Sequence, residues 1–490
     1  MFVSVVLLLV CLYFLIIKTR RPRNFPPGPF ALPILGNLLQ LSLEDPLKYV
    51  EKLRRNYGNV YSLFIGSNPA VVISGLKVMK EAMLTKGVDF AGRPQNLFIN
   101  AITMKRGVAL ADYGLSWKEH RRFALMTLRN FGMGRTSMED RIHGEIQYLI
   151  KTLESNVGET MSPEHMFHKA ASNIICQVLF GTRYDYDNDF VTVIIQSVVE
   201  ITKLINGPWS MLYDSFPFIR NLPLPFQEGI KNAEVMLTIM AAIGDLVTEH
   251  KKTRVPGEPR DFIDCYLDEM DKRLDDSLFS EEQLNLIVQD LYIDGTDTTS
   301  NTLLSGFLYL TNNPHIQERC QREIDQVLEG KARVTFEDRH KMPYVQAVIH
   351  EIQRMSNTVP LSVFHCTTKN TELMGYSLPK GTIIIQNLTS VLNEEGQWKF
   401  PHEFNPENFL NDKGEFFKPE AFMPFSAGPR MCLGEGLARM ELFLILVTLL
   451  RQFKFIWPED AGEPDFTPAF GITLTPRPYR MKVELRSTKD

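Results

Sequence analysis

One cysteine of six stands where it could do chemistry. Cys432 lies in Phe425-Ser426-Ala427-Gly428-Pro429-Arg430-Met431-Cys432-Leu433-Gly434, a glycine-bounded loop that runs into an apolar helical pattern. A cysteine just before a helix meets unpaired N–H groups and the positive end of the helix dipole, which stabilise a thiolate. Gly428 and Gly434 let the backbone come close to a flat, bulky partner. A single thiolate on such a loop suits the axial position of haem iron, where it pushes electron density toward O–O cleavage. Five fixed residue types across ten positions arise by accident in a chain this long on the order of once in 10⁴. The other cysteines (Cys11, Cys176, Cys265, Cys320 and Cys366) show no CxxC or paired spacing and read as structural thiols in a reducing compartment.

A second cluster falls in a long helical pattern, Asp290-Leu291-Tyr292-Ile293-Asp294-Gly295-Thr296-Asp297-Thr298-Thr299. Gly295 weakens a helix and Thr298 can turn its hydroxyl to a backbone carbonyl, so a local distortion is expected here. A carboxylate beside a hydroxyl in an apolar pocket can organise water and relay protons to bound dioxygen, and Asp297-Thr298 is such a pair. Alone it would read as a cap or a surface pair; Cys432 is what favours chemistry. Asp294 and Thr298, at i and i+4, share a helix face, so this further acid also points toward the pocket. Either it pairs with a buried cation or water, or its pKa rises and it is neutral, or a helix distortion turns it out to solvent. Glu351 and Arg354, at i and i+3, suit a buried charge-assisted pair with a structural role. His350-Glu351 nearly spells the zinc motif H-E-x-x-H, but Arg354 holds the second histidine position and a guanidinium cannot ligate zinc.

Helices must position most of these groups. Apolar periodicity predicts them over Asp45–Tyr57, Trp117–Arg129, Met138–Leu153, Pro163–Phe180, Phe190–Ile205, Phe226–His250, Glu281 to about Leu310, Val345–Met355 and about Gly434–Phe453. Asn312-Asn313-Pro314 closes the longest. Val60–Ile65 and Ala70–Ser74 read as a hairpin, and Thr371–Met374 and Thr382–Asn387 as small strands. The fold class is therefore mainly α with small β-sheets. At the N-terminus Phe2 to Ile17 is apolar except for Ser4, and Lys18, Arg20, Arg21 and Arg23 follow. That is a short transmembrane signal-anchor with the body in the cytosol; a cleaved signal peptide would need a basic n-region and a small-x-small site. Pro26-Pro27-Gly28-Pro29 reads as a stiff spacer. The expected organisation is an anchor at 1–17, a basic and proline-rich linker at 18–30, and one catalytic domain at 31–490. The 490 residues carry 53 basic and 58 acidic side chains, which gives none of the basic excess of a nucleic-acid binder.

The pattern F-x-x-G-x-R-x-C-x-G is similar to the haem-binding signature of the cytochrome P-450 family of haem-thiolate monooxygenases. With the anchor, the proline hinge and Trp117-Lys118-Glu119-His120-Arg121-Arg122-Phe123, the chain most resembles a vertebrate microsomal member of family 2, over nearly its whole length. The resemblance implies the cytochrome P-450 fold, haem b ligated by Cys432, and Asp297 and Thr298 as the proton-handling pair. It implies haem-propionate partners at Trp117, Arg121, His365 and Arg430, with Arg93 a further candidate. It assigns Glu351-Ile352-Gln353-Arg354 to the scaffold behind the haem loop. The third member of that scaffold, commonly Arg, falls at Asn408, a weaker neutral partner. The family has a small residue where this chain has Asp294.

Pocket residues implied in the same way are Phe98, Leu110, Ile205, Asp294, Val359, Val363 and Phe470. They form a largely apolar lining for a lipophilic ligand arriving from membrane lipid. The implied reaction is hydroxylation or epoxidation of fatty acids, steroids or xenobiotics at the endoplasmic reticulum membrane. NADPH would act through a flavoprotein reductase, with cytochrome b5 a second candidate donor, because no G-x-G-x-x-G or flavin motif stands out. Lys118, Arg122, Arg129 and Arg135 either steer an acidic donor protein or form a solvated face. The rivals are a haem-thiolate isomerase that needs no reductase and a non-catalytic haem or lipid binder.

Overall fold

In the computed structural model, residues 20–33, 35–40, 45–130, 136–205, 208–223, 228–273 and 278–486 are described. The helices that matter for the site are α1 (Leu115–Asn130), α2 (Thr136–Glu154), α3 (Glu164–Leu179), α4 (Asp189–Ile205), α5 (Glu228–Thr253), α6 (Glu281–Asn312), α7 (Pro343–Ser356) and α8 (Glu435–Gln452). The apolar run Phe2–Ile17 lies outside the described residues. Among those described, no helix is long and apolar enough to cross a membrane.

Helix α6 is the axis. Ser280 caps it by accepting the Gln283 N–H, Glu281 and Glu282 sit on the positive end of its dipole, and Pro314 ends it. It is buried around most of its circumference, with α3 as its most extensive partner, α5 and α7 beside it and α8 behind. The helix runs without a break through Gly295, the place where a local distortion is expected. A Cβ there would lie 3.1 Å from the Ile175 side chain, so the glycine lets α3 and α6 pack closely. Its helix penalty of about 1 kcal/mol is offset by that packing. Pro314, the stop signal of α6, is also the first residue of a further helix, Pro314–Val327, because proline suits a first helical turn as well as it ends a preceding one. That helix, Pro208–Ser215 and Phe262–Lys272 add to the helices expected from periodicity.

The main sheet has the order β1 (Val60–Ile65), β2 (Asn68–Ser74), β4 (Ile383–Asn387), β3 (His365–Cys366). Strands β1 and β2 form the expected hairpin. Parallel pairing of Ala70 with Ile383 through Ser74 with Asn387 then joins residues some 300 apart, and His365 sits opposite Ile384. Smaller sheets, one of them pairing Ala469–Phe470 with Leu474–Thr475, complete the α-dominated fold.

The proline-rich segment is extended and docked on β1. The Ser62 N–H donates to the Pro27 carbonyl at 2.7 Å, the Ser62 hydroxyl to Pro26 at 2.7 Å, and Arg21 to Pro29 at 2.6 Å. Gly28 permits this: a Cβ would fall 2.0 Å from the Ser62 carbonyl oxygen. The segment is thus clamped to the body.

Candidate active site

The Cys432 loop is held from both sides. Gly428 has φ +78°, and a Cβ on it would meet the Met83 carbonyl oxygen at 2.0 Å, so only glycine fits. The Cys432 N–H donates to Phe425 at 3.1 Å, and Ser426 donates to Gln386 Oε1 on β4 at 2.7 Å. Arg121 on α1 donates to the Met431 carbonyl. From behind, α7 braces α8: His350 receives the Arg439 guanidinium at 2.7 Å while its own Nδ1 faces the Gln346 carbonyl.

Cys432 keeps accessible surface in the structure, although protein atoms pack closely around its sulfur. Burial pushes its pKa up to about 11; the Gly434 N–H and Arg121 pull it down, while Asp294 and Glu435 push it further up. This corrects the expectation that the helix N-terminus alone leaves a thiolate. Desolvation outweighs the dipole, and a metal must displace the proton.

Around the same interior the arginines converge. Arg93 donates to the carbonyls of Ala109 (2.8 Å), Val363 (2.8 Å) and Phe364 (3.0 Å). Arg430 donates to Ala91 and Ala111, both at 2.8 Å, and stacks over Trp117 at 4.0 Å. Trp117 gives its indole N–H to Val108 at 3.0 Å. His365 is buried with Nδ1 on the Phe90 carbonyl (2.8 Å) and Nε2 on the Gln386 amide (3.0 Å). Burial, then mutual repulsion, depresses Arg430 to about 8, with Arg93 and Arg121 as the repelling cations. A guanidinium stays protonated, so the cluster is a place short of negative charge. Two carboxylates of a haem would supply it, and the Cys432 sulfur would supply a ligand to its iron: the residues fit the group.

On the other wall lies a cavity of about 270 Å³. Leu110, Asp294, Val363 and Phe470 line it, with Arg93, Asp297 and Thr298. Phe98 and Val359 do not. Phe98 packs tilted against the Tyr213 ring at 4.8 Å with its N–H on Asp214, and the chain turns at Ser362 (φ +55°) so that Pro360, Leu361 and Val363 form the wall. The side chain of Ile205 lies outside the described residues; Ile201, one turn earlier, lines the cavity.

Thr298 donates to the Asp294 carbonyl at 2.7 Å, the i−4 bond expected of it. Asp297 is 3% exposed and accepts from Thr473 at 2.5 Å. Burial raises its pKa, against the pull of Thr473, His168 and Asn301. Those three supporting residues escaped sequence reading. Thr473 is some 175 residues away in a strand-poor stretch, and His168 and Asn301 look like ordinary helix polar positions. Their signal is structural: each lies close to the buried Asp297 carboxyl, and only the packing of distant segments brings Thr473 and His168 there.

Glu351 and Arg354 form the expected buried pair at 2.7 Å, and the Asn408 amide donates to Glu351 at 3.1 Å, the neutral bond expected there. Lys118, Arg122 and Arg129 lie on α1, where Arg122 is paired with Glu119 at 2.8 Å; Arg135 lies outside the described residues.

A cysteine on a glycine-bounded loop near buried arginines, with an acid–alcohol helix on the wall of an apolar cavity, suits a haem-thiolate oxygenase. Residues 26–483 match the model of the family described as cytochrome P-450. The chain is 41% identical over 467 residues to cytochrome P-450 2F2 of Mus musculus, covering 94% of each chain. It is 40% identical over 468 residues to cytochrome P-450 2J2 of Homo sapiens, covering 95% of this chain and 92% of that one. It is 38% identical over 475 residues to cytochrome P-450 2D15 of Canis lupus familiaris, covering 96% and 94%. The chain belongs to the cytochrome P-450 family, is similar to its microsomal family 2, and is a haem-thiolate monooxygenase.

Proposed function

We propose that the protein hydroxylates or epoxidises lipophilic substrates, taking electrons from NADPH through a flavoprotein reductase and working at the endoplasmic reticulum membrane behind an N-terminal anchor. Cys432, Arg93, Arg121 and Arg430 would hold haem, with Trp117 and His365 fixing the loops around it. When bound, the haem supplies the iron at which dioxygen is reduced and its O–O bond cleaved.

The residues of this chain supply the rest. Asp297, buried and held by Thr473, sets a carboxyl on the cavity wall where it can pass protons on. Thr298 has its own proton on the Asp294 carbonyl and turns oxygen lone pairs to the cavity, where they accept from water. The apolar lining excludes bulk water and selects lipophilic ligands. The exposed cations of α1 beside the 40%-exposed Met431 suit an acidic donor protein, the reductase first and cytochrome b5 second. The observation that carries the reading is the Asp297-Thr298 pair on the wall of an apolar cavity that Arg93 also lines.

The test is reconstitution with NADPH and a microsomal reductase on a fatty acid, a steroid and a xenobiotic panel. It follows a reduced carbon monoxide spectrum of the wild type and Cys432→Ala. A red-shifted Soret band lost in the variant, with product that depends on NADPH, is the expected result. Product without NADPH would establish the isomerase reading, and haem uptake with no turnover the binding-protein reading.

A further inference from the structure

Four carboxylates line the cavity, and three are engaged. Asp214 accepts the Phe98 N–H at 2.5 Å and lies 3.6 Å from Arg220. Asp290 accepts the N–H groups of Val108 (2.7 Å) and Ala109 (2.9 Å). Asp297 holds Thr473. Asp294 is different. Among the described residues no side chain or amide hydrogen-bonds its carboxyl, and it makes no ion pair, although its surface opens onto the cavity. The one cation of the lining, Arg93, gives Nε and Nη1 to three backbone carbonyls and acts on Asp294 only at longer range. The other charged groups that act on Asp294 are Asp290 and Asp297, both acids.

A carboxyl without a partner of opposite charge on an apolar wall is costly for the protein alone. A cationic ligand removes that cost by forming a charge-assisted hydrogen bond, and neighbouring acids favour it further. The surrounding wall, with Leu97, Ile201, Leu361 and Phe470, accommodates an apolar body.

The geometry points to Asp294 as a cation subsite in the substrate cavity, selecting lipophilic protonated amines over neutral ligands of the same shape. The assignment rests on reading this cavity as the substrate cavity. Asp290, although also an acid, suits this part less, because its Oδ2 takes the N–H groups of both Val108 and Ala109 and so ties the carboxylate to that loop. Asp294 lies one turn before Thr298, so an ammonium bound there is anchored next to the proton-handling pair.

The test is isothermal calorimetry on the haem-loaded full chain with N,N-dimethyldecylamine and its neutral counterpart decyl methyl ether. The wild type is expected to prefer the amine. Asp294→Asn should weaken amine binding by about 10- to 100-fold, the range of a hydrogen bond to a charged group, and leave the ether within about twofold. Asp294→Glu, which keeps the charge, should retain the preference, and guards against a variant that simply folds badly. Equal losses for both ligands in Asp294→Asn, or a wild type with no amine preference, would overturn the assignment. A carbon monoxide spectrum run in parallel separates this failure from failure of the monooxygenase reading, since the spectrum depends on Cys432 and the preference on Asp294.

Discussion

Arg354 gives the sharpest energetic prediction. It is fully buried, and its guanidinium makes two bonds of 2.7 Å to Glu351 and further bonds to the carbonyls of Leu392 (2.8 Å), Pro401 (2.7 Å), Phe400 (3.2 Å) and Glu403 (2.8 Å) and to Asn393 Oδ1 (3.0 Å). Arg354→Met leaves the Glu351 carboxylate buried with only Asn405 and Asn408 as donors. Breaking one side of such a pair costs about 3–5 kcal/mol, a large share of the roughly 5–15 kcal/mol that holds a domain together. Arg354→Lys keeps the charge, but three donors cannot serve seven acceptors, and each abandoned buried carbonyl costs about 1–3 kcal/mol.

Urea unfolding followed by tryptophan emission reads the loss, since Trp398 lies 5.1 Å from the guanidinium, and haem content reports the loop. Adding Glu351→Gln to Arg354→Met removes the stranded charge, so the double variant should be more stable than the Arg354→Met single. Additive losses, or Arg354→Lys within about 0.5 kcal/mol of wild type, would refute the reasoning.

Gly428→Ala must clash with the Met83 carbonyl at a positive φ, so haem content should collapse while far-ultraviolet circular dichroism stays near wild type. Thr473→Val removes the donor that holds Asp297, raising the carboxyl pKa further; product formed per NADPH should fall and peroxide rise with haem content unchanged. His250 lies between two oxygens, the Leu246 carbonyl at 2.7 Å and the Asp261 carboxylate at 2.8 Å, an arrangement that favours the charged ring. Burial opposes that charge, but Asp261 raises its pKa overall. A raised folded pKa stabilises below the unfolded value of about 6.5 and is lost as pH rises through the folded one. The thermal midpoint should therefore fall on the alkaline side, and His250→Gln should flatten that slope.

Most of the long helices, the β1–β2 hairpin, the cysteine loop and the Glu351–Arg354 pair were legible in the chain, because each rests on spacing within a few residues. Spacing sets which side chains share a helix face or a turn, and that depends on local backbone geometry alone. What lay beyond reach involves partners distant in sequence. Desolvation decides that Cys432 is a thiol by itself, and only packing sets desolvation. Phe98 belongs to Tyr213 and Asp214 rather than to the cavity because a segment more than a hundred residues away docks on it. Gly295 read as a weak point from its own propensity, yet its role is the approach of Ile175 on another helix. Asp294 could be placed on the pocket face from its spacing, but whether it had a counter-ion could not. That depended on Arg93 already being committed to the Ala109, Val363 and Phe364 carbonyls, which tertiary contact alone decides.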